Sequence, residues 1–358
     1  MVDILLFIVV LSVLILLHEW GHFFIARRSG MKVEEFGLGF PPRLFGKKIG
    51  ETVYSINMIP LGGFVKVLGE DSGSKDKEGS FASKPMVSRM AVVVAGVVMN
   101  LIVAWVLVAV VLMMGRNVLS DTPHTAWEGR EVRNTGVYLS DVIEESAAED
   151  AGLQRGDKVV TLESGPLVFV PRSLDGFHWF VERSKKKGTP LVLEYQRGAV
   201  VEAVELRARD SIIGVRVLYG GMVSYSPQDA AQESFIVVGR GVATLFQWLG
   251  ETAGDFVRTG EAPEDAAGIV GATRIASEQQ AQGVSSYLLF LAILSLNLAV
   301  LNILPIPPLD GGKLLFLTIE AIRGSPVSHT AEKKVQVAGF AFLMTLILLL
   351  TIRDIIRL

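Results

Sequence analysis

Four long apolar stretches divide the chain, separated by polar segments of very unequal length. Residues 4–25, 90–113 and 287–304 each approach the roughly 20 mostly apolar residues that a helix needs to cross a bilayer. Residues 335–352 are slightly shorter, but no charge falls between Gln336 and Thr351. The first stretch has no basic residue before it and no small-x-small cleavage site after it, so it reads as a retained span and not a signal peptide. The pattern predicts an α-helical polytopic membrane protein with four transmembrane helices, a membrane-associated β-hairpin and one inserted β-rich domain.

Basic residues set the expected orientation. None occurs in residues 1–3, whereas Arg27, Arg28, Lys32, Arg43, Lys47, Lys48 and Lys66 follow the first span. The N-terminus is therefore expected outside and residues 27–89 in the cytoplasm. Residues 115–285 then lie outside. Lys313, Arg323, Lys333 and Lys334 lie inside before the fourth span exits.

Shorter patterns fill the polar segments. In residues 52–67, Tyr54, Ile56 and Met58 alternate with smaller or polar residues, Pro60–Gly63 offers a turn, and Phe64, Val65 and Val67 resume β-prone residues; this predicts a hairpin. Residues 134–209 have the strand rhythm of a small β-rich module, with a helix-like segment over 172–187. Residues 227–260 mix Phe235, Phe246, Trp248 and Phe256 with Arg240, Glu251 and Asp255, which predicts amphipathic helices at the outer interface. The expected organisation is 1–115 and 284–358 as membrane parts, 134–209 as the inserted module and 210–283 as an amphipathic connection.

Composition narrows the chemistry. Half of the residues are hydrophobic, mean hydropathy is +0.44 and the formal net charge is only −3, so a nucleic-acid partner is not indicated. There are no cysteines, which excludes thiolate metal sites. Any zinc has to be held by His and carboxylate, the ligand set of catalytic centres.

The first span ends in His18-Glu19-Trp20-Gly21-His22, an H-E-x-x-H motif. Residues four apart share a helix face, so His18 and His22 can bind one ion together. Ionisable groups at membrane depth are costly and mark function. His18 lies about 21 Å of helix beyond Ile4, toward the cytoplasmic end of the span. The third span ends at the same side in Asn302-Ile303-Leu304-Pro305-Ile306-Pro307-Pro308-Leu309-Asp310-Gly311-Gly312. Asp310, a lone carboxylate in that apolar, proline-rich run, is the best candidate third ligand. Glu19 is placed to act as general base toward the attacking water and then as proton donor to the leaving amine. His124, His178 and His329 lie in polar segments and read as ordinary surface or packing histidines.

These two motifs together resemble the site-2 protease family of intramembrane zinc metalloproteases, in particular the bacterial regulator-of-sigma-E type, over nearly the whole chain. The resemblance implies Zn2+ bound by His18, His22 and Asp310, catalysis by Glu19, and peptide-bond hydrolysis within or beside a substrate's transmembrane helix. It implies a multi-pass protein of the bacterial inner membrane with the active site toward the cytoplasm. Asn297 and Asn302 serve either helix packing or binding of the unwound substrate backbone or the oxyanion, and the resemblance favours the second for Asn302. The family's counterpart of residues 52–67 is a re-entrant β-loop that pairs with extended substrate, which puts Gly62, Gly63 and Phe64 beside it. The chain has Val97 and no proline within residues 268–271 where relatives often have proline, which affects local helix shape only.

The run Ala151-Gly152-Leu153-Gln154-Arg155-Gly156-Asp157 resembles a PDZ domain of the circularly permuted bacterial kind. Such a groove would take a peptide C-terminus or an outer segment of the substrate, exclude bulky substrates, or only pack. Expected partners are transmembrane substrates and lipid. Two other functions are conceivable: a catalytically silent scaffold that binds tails through the PDZ module, and a transporter, which would show internal repeats that this chain lacks.

Overall fold

The computed structural model describes residues 2–70, 78–121, 131–198, 200–206, 213–260 and 268–356. In chain order it contains α1 (Val2–Arg28), β1 (Val33–Ile49), β2 (Thr52–Val67), α2 (Met86–Met114), β3 (Arg116–Ser120), β4 (Glu131–Val142), α3 (Ala147–Asp150), β5 (Lys158–Ser164), β6 (Leu167–Phe169) and α4 (Leu174–Lys187). There follow β7 (Leu191–Arg197), β8 (Val200–Leu206), β9 (Val215–Ser224), α5 (Pro227–Thr259), α6 (Ile269–Ala281), α7 (Val284–Ile303), α8 (Asp310–Arg323) and α9 (His329–Ile356). The chain divides into two compact units, one of residues 1–110 and 231–358, the other of residues 111–230.

Four helices of the described residues are long and apolar enough to cross a membrane, over Leu6–Arg28, Met86–Met114, Val284–Ile303 and Thr330–Asp354. They correspond to the four apolar stretches of the sequence. α5 is longer than any of them at 33 residues, but Asp229, Glu233, Arg240, Glu251, Asp255 and Arg258 recur along it, and it is not among the four.

In the first unit α1 and α2 approach closely because Gly21 has no side chain: a Cβ there would lie 2.5 Å from the Ala95 carbonyl oxygen. An apolar cluster of Ala26, Met31, Val33, Val67, Phe81, Val92, Val93 and Leu317 joins the end of α1 to the sheet, α2 and α8. Next to it Arg89 of α2 forms two hydrogen bonds, 3.0 and 2.8 Å, with the Glu320 carboxylate of α8. Both side chains are mostly buried. α5 lies against α2 and α7: the Trp105 indole N–H donates to the Ala231 carbonyl at 2.8 Å, and Gly241 faces Leu296.

The hairpin differs from the expectation. Its partner is β1, and the tight turn lies between Ile49 and Thr52, not at Pro60–Gly63. β2 runs unbroken past that point. Residues 33–40 sit between the two halves of β2: Glu35↔Val53 through Phe40↔Ile59 on one side, Val33↔Val67 through Leu38↔Gly63 on the other. Residues 43–49 pair with 52–57 at the outer edge and carry exposed Leu44, Phe45 and Ile49. Glycines at 37, 39 and 46 and the Pro41-Pro42 pair break the period-two alternation that would have marked β1 in the sequence.

The second unit is a seven-stranded sheet in the order β3-β9-β4-β5-β7-β8, with β6 paired to β5. Its core packs Val137, Leu139, Leu162, Leu193 and Leu206 against Phe177 and Phe180 of α4. α4 starts at Ser173, whose hydroxyl accepts the Gly176 N–H, and stops at Gly188 in the left-handed conformation. Buried Asp157, from the Gly-Asp run, accepts the Gln154 N–H and a bidentate guanidinium from Arg197. β9 belongs to this sheet, pairing with β4 from Glu131↔Ser224 to Val142↔Val215. The expected limits of 134–209 omit it. Gly220 and Gly221 in its middle conceal it as a strand, and the contact of Gly220 with the Tyr138 ring explains the first of them.

Candidate metal centre

His18 and His22 lie on one face of α1 with ring centroids 4.8 Å apart and planes nearly perpendicular. The third group arrives on α8, which doubles back immediately after α7. Prolines 305, 307 and 308 stop α7 from continuing. The Ile306 N–H bonds the Leu304 carbonyl at 2.6 Å and the Leu309 N–H bonds the Ile306 carbonyl at 2.9 Å, which closes the turn. Gly311 and Gly312 then pack directly on the backbone of residues 303–307, where no side chain fits. Asp310 is the first residue of α8, so its carboxylate sits at a helix N-terminus.

The three side chains converge. Asp310 Oδ2 is 3.1 Å from His18 Nε2 and 3.2 Å from His22 Nε2, and the two Nε2 atoms are 3.1 Å apart. Oδ2 is buried and makes no hydrogen bond, so a bare carboxylate oxygen faces both ring nitrogens. Donors on a tetrahedral zinc ion, at about 2.0–2.1 Å from it, stand about 3.3–3.4 Å from one another. The observed triangle is within a few tenths of an ångström of that spacing, and two imidazoles with one carboxylate are a zinc-type donor set. The residues present therefore fit the ion. Among the described residues this is the one cluster of three potential ligands that meets such a spacing.

A cavity of about 260 Å3 opens on the cluster, lined by Glu19, His22, Phe64, Glu70, Asp310 and Lys313 among others. Glu19 is half-buried in its wall. Phe64 is held there because its ring lies on Gly37 of the neighbouring strand. Gly63 is adjacent: a Cβ on it would be 3.5 Å from Glu19 Cγ. Gly62, with φ +78°, turns toward Ile15 and Phe40 instead. The Asn302 amide nitrogen is 3.5 Å from His18 Nε2. Asn297, five residues earlier on α7, is half-buried and does not line the cavity.

His178 stacks edge-on against Phe177 in the second unit, and His329 opens α9. His124 lies outside the described residues. The charged pair Lys313–Glu70 beside the His18–His22–Asp310 cluster was not singled out in the sequence. Lys313 is one helix turn beyond Asp310, which is the signal that could have found it.

A family model described as Peptidase family M50 matches residues 6–346. A Clostridium perfringens relative is 31% identical over 356 residues, covering 96% of each chain. The zinc metalloprotease RasP of Bacillus licheniformis is 29% identical over 437 aligned positions, covering 98% of each chain. The regulator of sigma-W protease RasP of Bacillus subtilis is 27% identical, again over 98% of each.

Proposed function

The chain belongs to peptidase family M50, the site-2 proteases, and on that premise we propose that this zinc metalloprotease cleaves single-span membrane proteins or signal-peptide remnants within or near their transmembrane helix. The observation that carries the reading is the meeting of His18, His22 and Asp310 at 3.1–3.2 Å, two of them on a helix apolar enough to span a membrane. His18 Nε2, His22 Nε2 and one Asp310 oxygen would hold the metal. Zinc bound there supplies Lewis acidity, polarising a carbonyl and making water more acidic.

The protein's own groups do the rest. Glu19, in the wall of the same cavity, takes a proton from the attacking water and delivers it to the leaving amine. The Asn302 amide, beside His18, donates to the oxygen on which charge develops. A helix has to be opened before its peptide bonds are accessible, and the stretch Gly62-Gly63-Phe64 of β2 would hold the extended backbone by strand addition. Asn297 contributes to helix packing or to an outer part of the substrate path.

The basic residues after α1 support a topology with the N- and C-termini and the second unit outside the cytoplasmic membrane and the active site toward the cytoplasm. We assign residues 1–115 and 284–358 to the catalytic membrane part, 134–209 together with β9 (Val215–Ser224) to the inserted module, and the remainder of 210–283 to the connection. The Asp157–Arg197 lock and the pairing of α4 with the sheet core support a PDZ-type module that meets a peptide C-terminus or an outer substrate segment.

The test is Glu19→Gln in proteoliposomes with a single-span substrate. Cleavage should fall by roughly 10²–10⁴-fold with zinc content unchanged. Cleavage at the wild-type rate would refute the assignment of Glu19.

A further inference from the structure

Val92, Gly96 and Asn100 lie four residues apart on α2 and form one stripe along it. That stripe faces the two histidines of α1, which are themselves four apart. Each member of the stripe meets an imidazole in a different way.

His22 Nδ1 is 2.7 Å from the Val92 backbone carbonyl oxygen. A carbonyl can only accept, so Nδ1 carries the proton and Nε2 is left with its lone pair. Gly96 is the residue whose side chain would cover that carbonyl. A Cβ on it would lie 2.5 Å from His18 Cε1 and 2.6 Å from His22 Cε1, so both rings rest on bare backbone. Asn100 is fully buried, with its amide nitrogen 3.1 Å from His18 Nδ1 and its Oδ1 without a hydrogen-bond partner. Its backbone is tied to α7 through the buried Ser295 hydroxyl, which donates to the Asn100 carbonyl at 2.8 Å.

The two ends of a carboxamide differ only in their hydrogens, and a half-turn about the last bond exchanges them. With nitrogen toward the ring, Asn100 donates to Nδ1 and forces the His18 proton onto Nε2, the atom that faces Asp310. With oxygen toward the ring, Asn100 accepts from Nδ1–H and His18 takes the same tautomer as His22. Only the second arrangement gives two bare Nε2 atoms beside Asp310, as a metal centre requires.

We infer that Asn100, with the Val92 carbonyl exposed by Gly96, is a positioning residue that sets both histidines to present Nε2 to the metal. This rests on the zinc reading above. α2 thus holds the tautomers while α1 and α8 provide the ligands.

The test is zinc affinity of the purified full-length protein by chelator competition, with Asn100→Leu, Asn100→Asp and His18→Ala compared with wild type. Asn100→Leu, which removes the acceptor, should weaken zinc binding 10–100-fold. Asn100→Asp, which can only accept when ionised, should bind at least as tightly as wild type. Wild-type affinity in Asn100→Leu, or a loss in Asn100→Asp matching that in Asn100→Leu, would overturn the inference. If Asn100→Leu does not fold, Asn100→Asp decides alone: retained affinity supports the inference and a tenfold loss overturns it. His18→Ala separates the two levels. Full zinc binding in that variant removes the zinc reading itself, whereas loss there with none in Asn100→Leu removes only the role of Asn100.

Discussion

Gly96 of α2 and His22 of α1 are in such close contact that any side chain at position 96 would enter the imidazole ring. The proposed metal ligands therefore depend on a residue that offers no functional group. Gly96→Ala should lower zinc affinity at least tenfold, because the added methyl has to push one or both rings off their common focus. Zinc content after dialysis against a weak chelator checks this, and the apo variant's thermal unfolding separates ligand displacement from loss of fold.

Gly37 stands in a similar relation to Phe64, whose ring lies where a side chain on Gly37 would be. Gly37→Val should turn Phe64 out of the cavity wall and disturb the β2 segment next to Glu19. The expected outcome is cleavage slowed roughly tenfold, through misplaced substrate, with zinc fully retained. A zinc measurement beside a cleavage assay distinguishes this effect from that of Gly96→Ala.

The Arg89–Glu320 pair fastens the start of α2 to α8, the helix that begins at Asp310. Arg89→Met should cost about 3 kcal/mol, since it removes two charge-assisted bonds from a mostly buried carboxylate. Replacing both partners by Met should recover much of that loss, because an apolar pair leaves no buried charge. Thermal unfolding of the two single variants and the double variant in detergent gives the coupling directly.

Part of this arrangement was legible in the sequence. Four apolar runs marked four span-like helices. Two histidines at i and i+4 in one of them, with a lone aspartate after another, marked a candidate metal cluster, and the fold brings its members within 3.2 Å of one another. Local spacing carried that information. What stayed hidden depends on distant pairing or on backbone atoms. β1 carries glycines and a Pro-Pro step, so its strand character appears only when β2 lies beside it on both sides. β9 is broken by Gly220-Gly221 and is recognisable through its pairing with β3 and β4. The partner of His22 is the Val92 main-chain oxygen, which no side-chain pattern reports.

The proposed mechanism needs one metal ion shared by α1 and α8, and zinc stoichiometry of the purified protein by elemental analysis measures it directly. About one zinc per chain is expected in wild type and in Glu19→Gln, and close to none in Asp310→Ala. One full equivalent of zinc in a folded Asp310→Ala variant would contradict it.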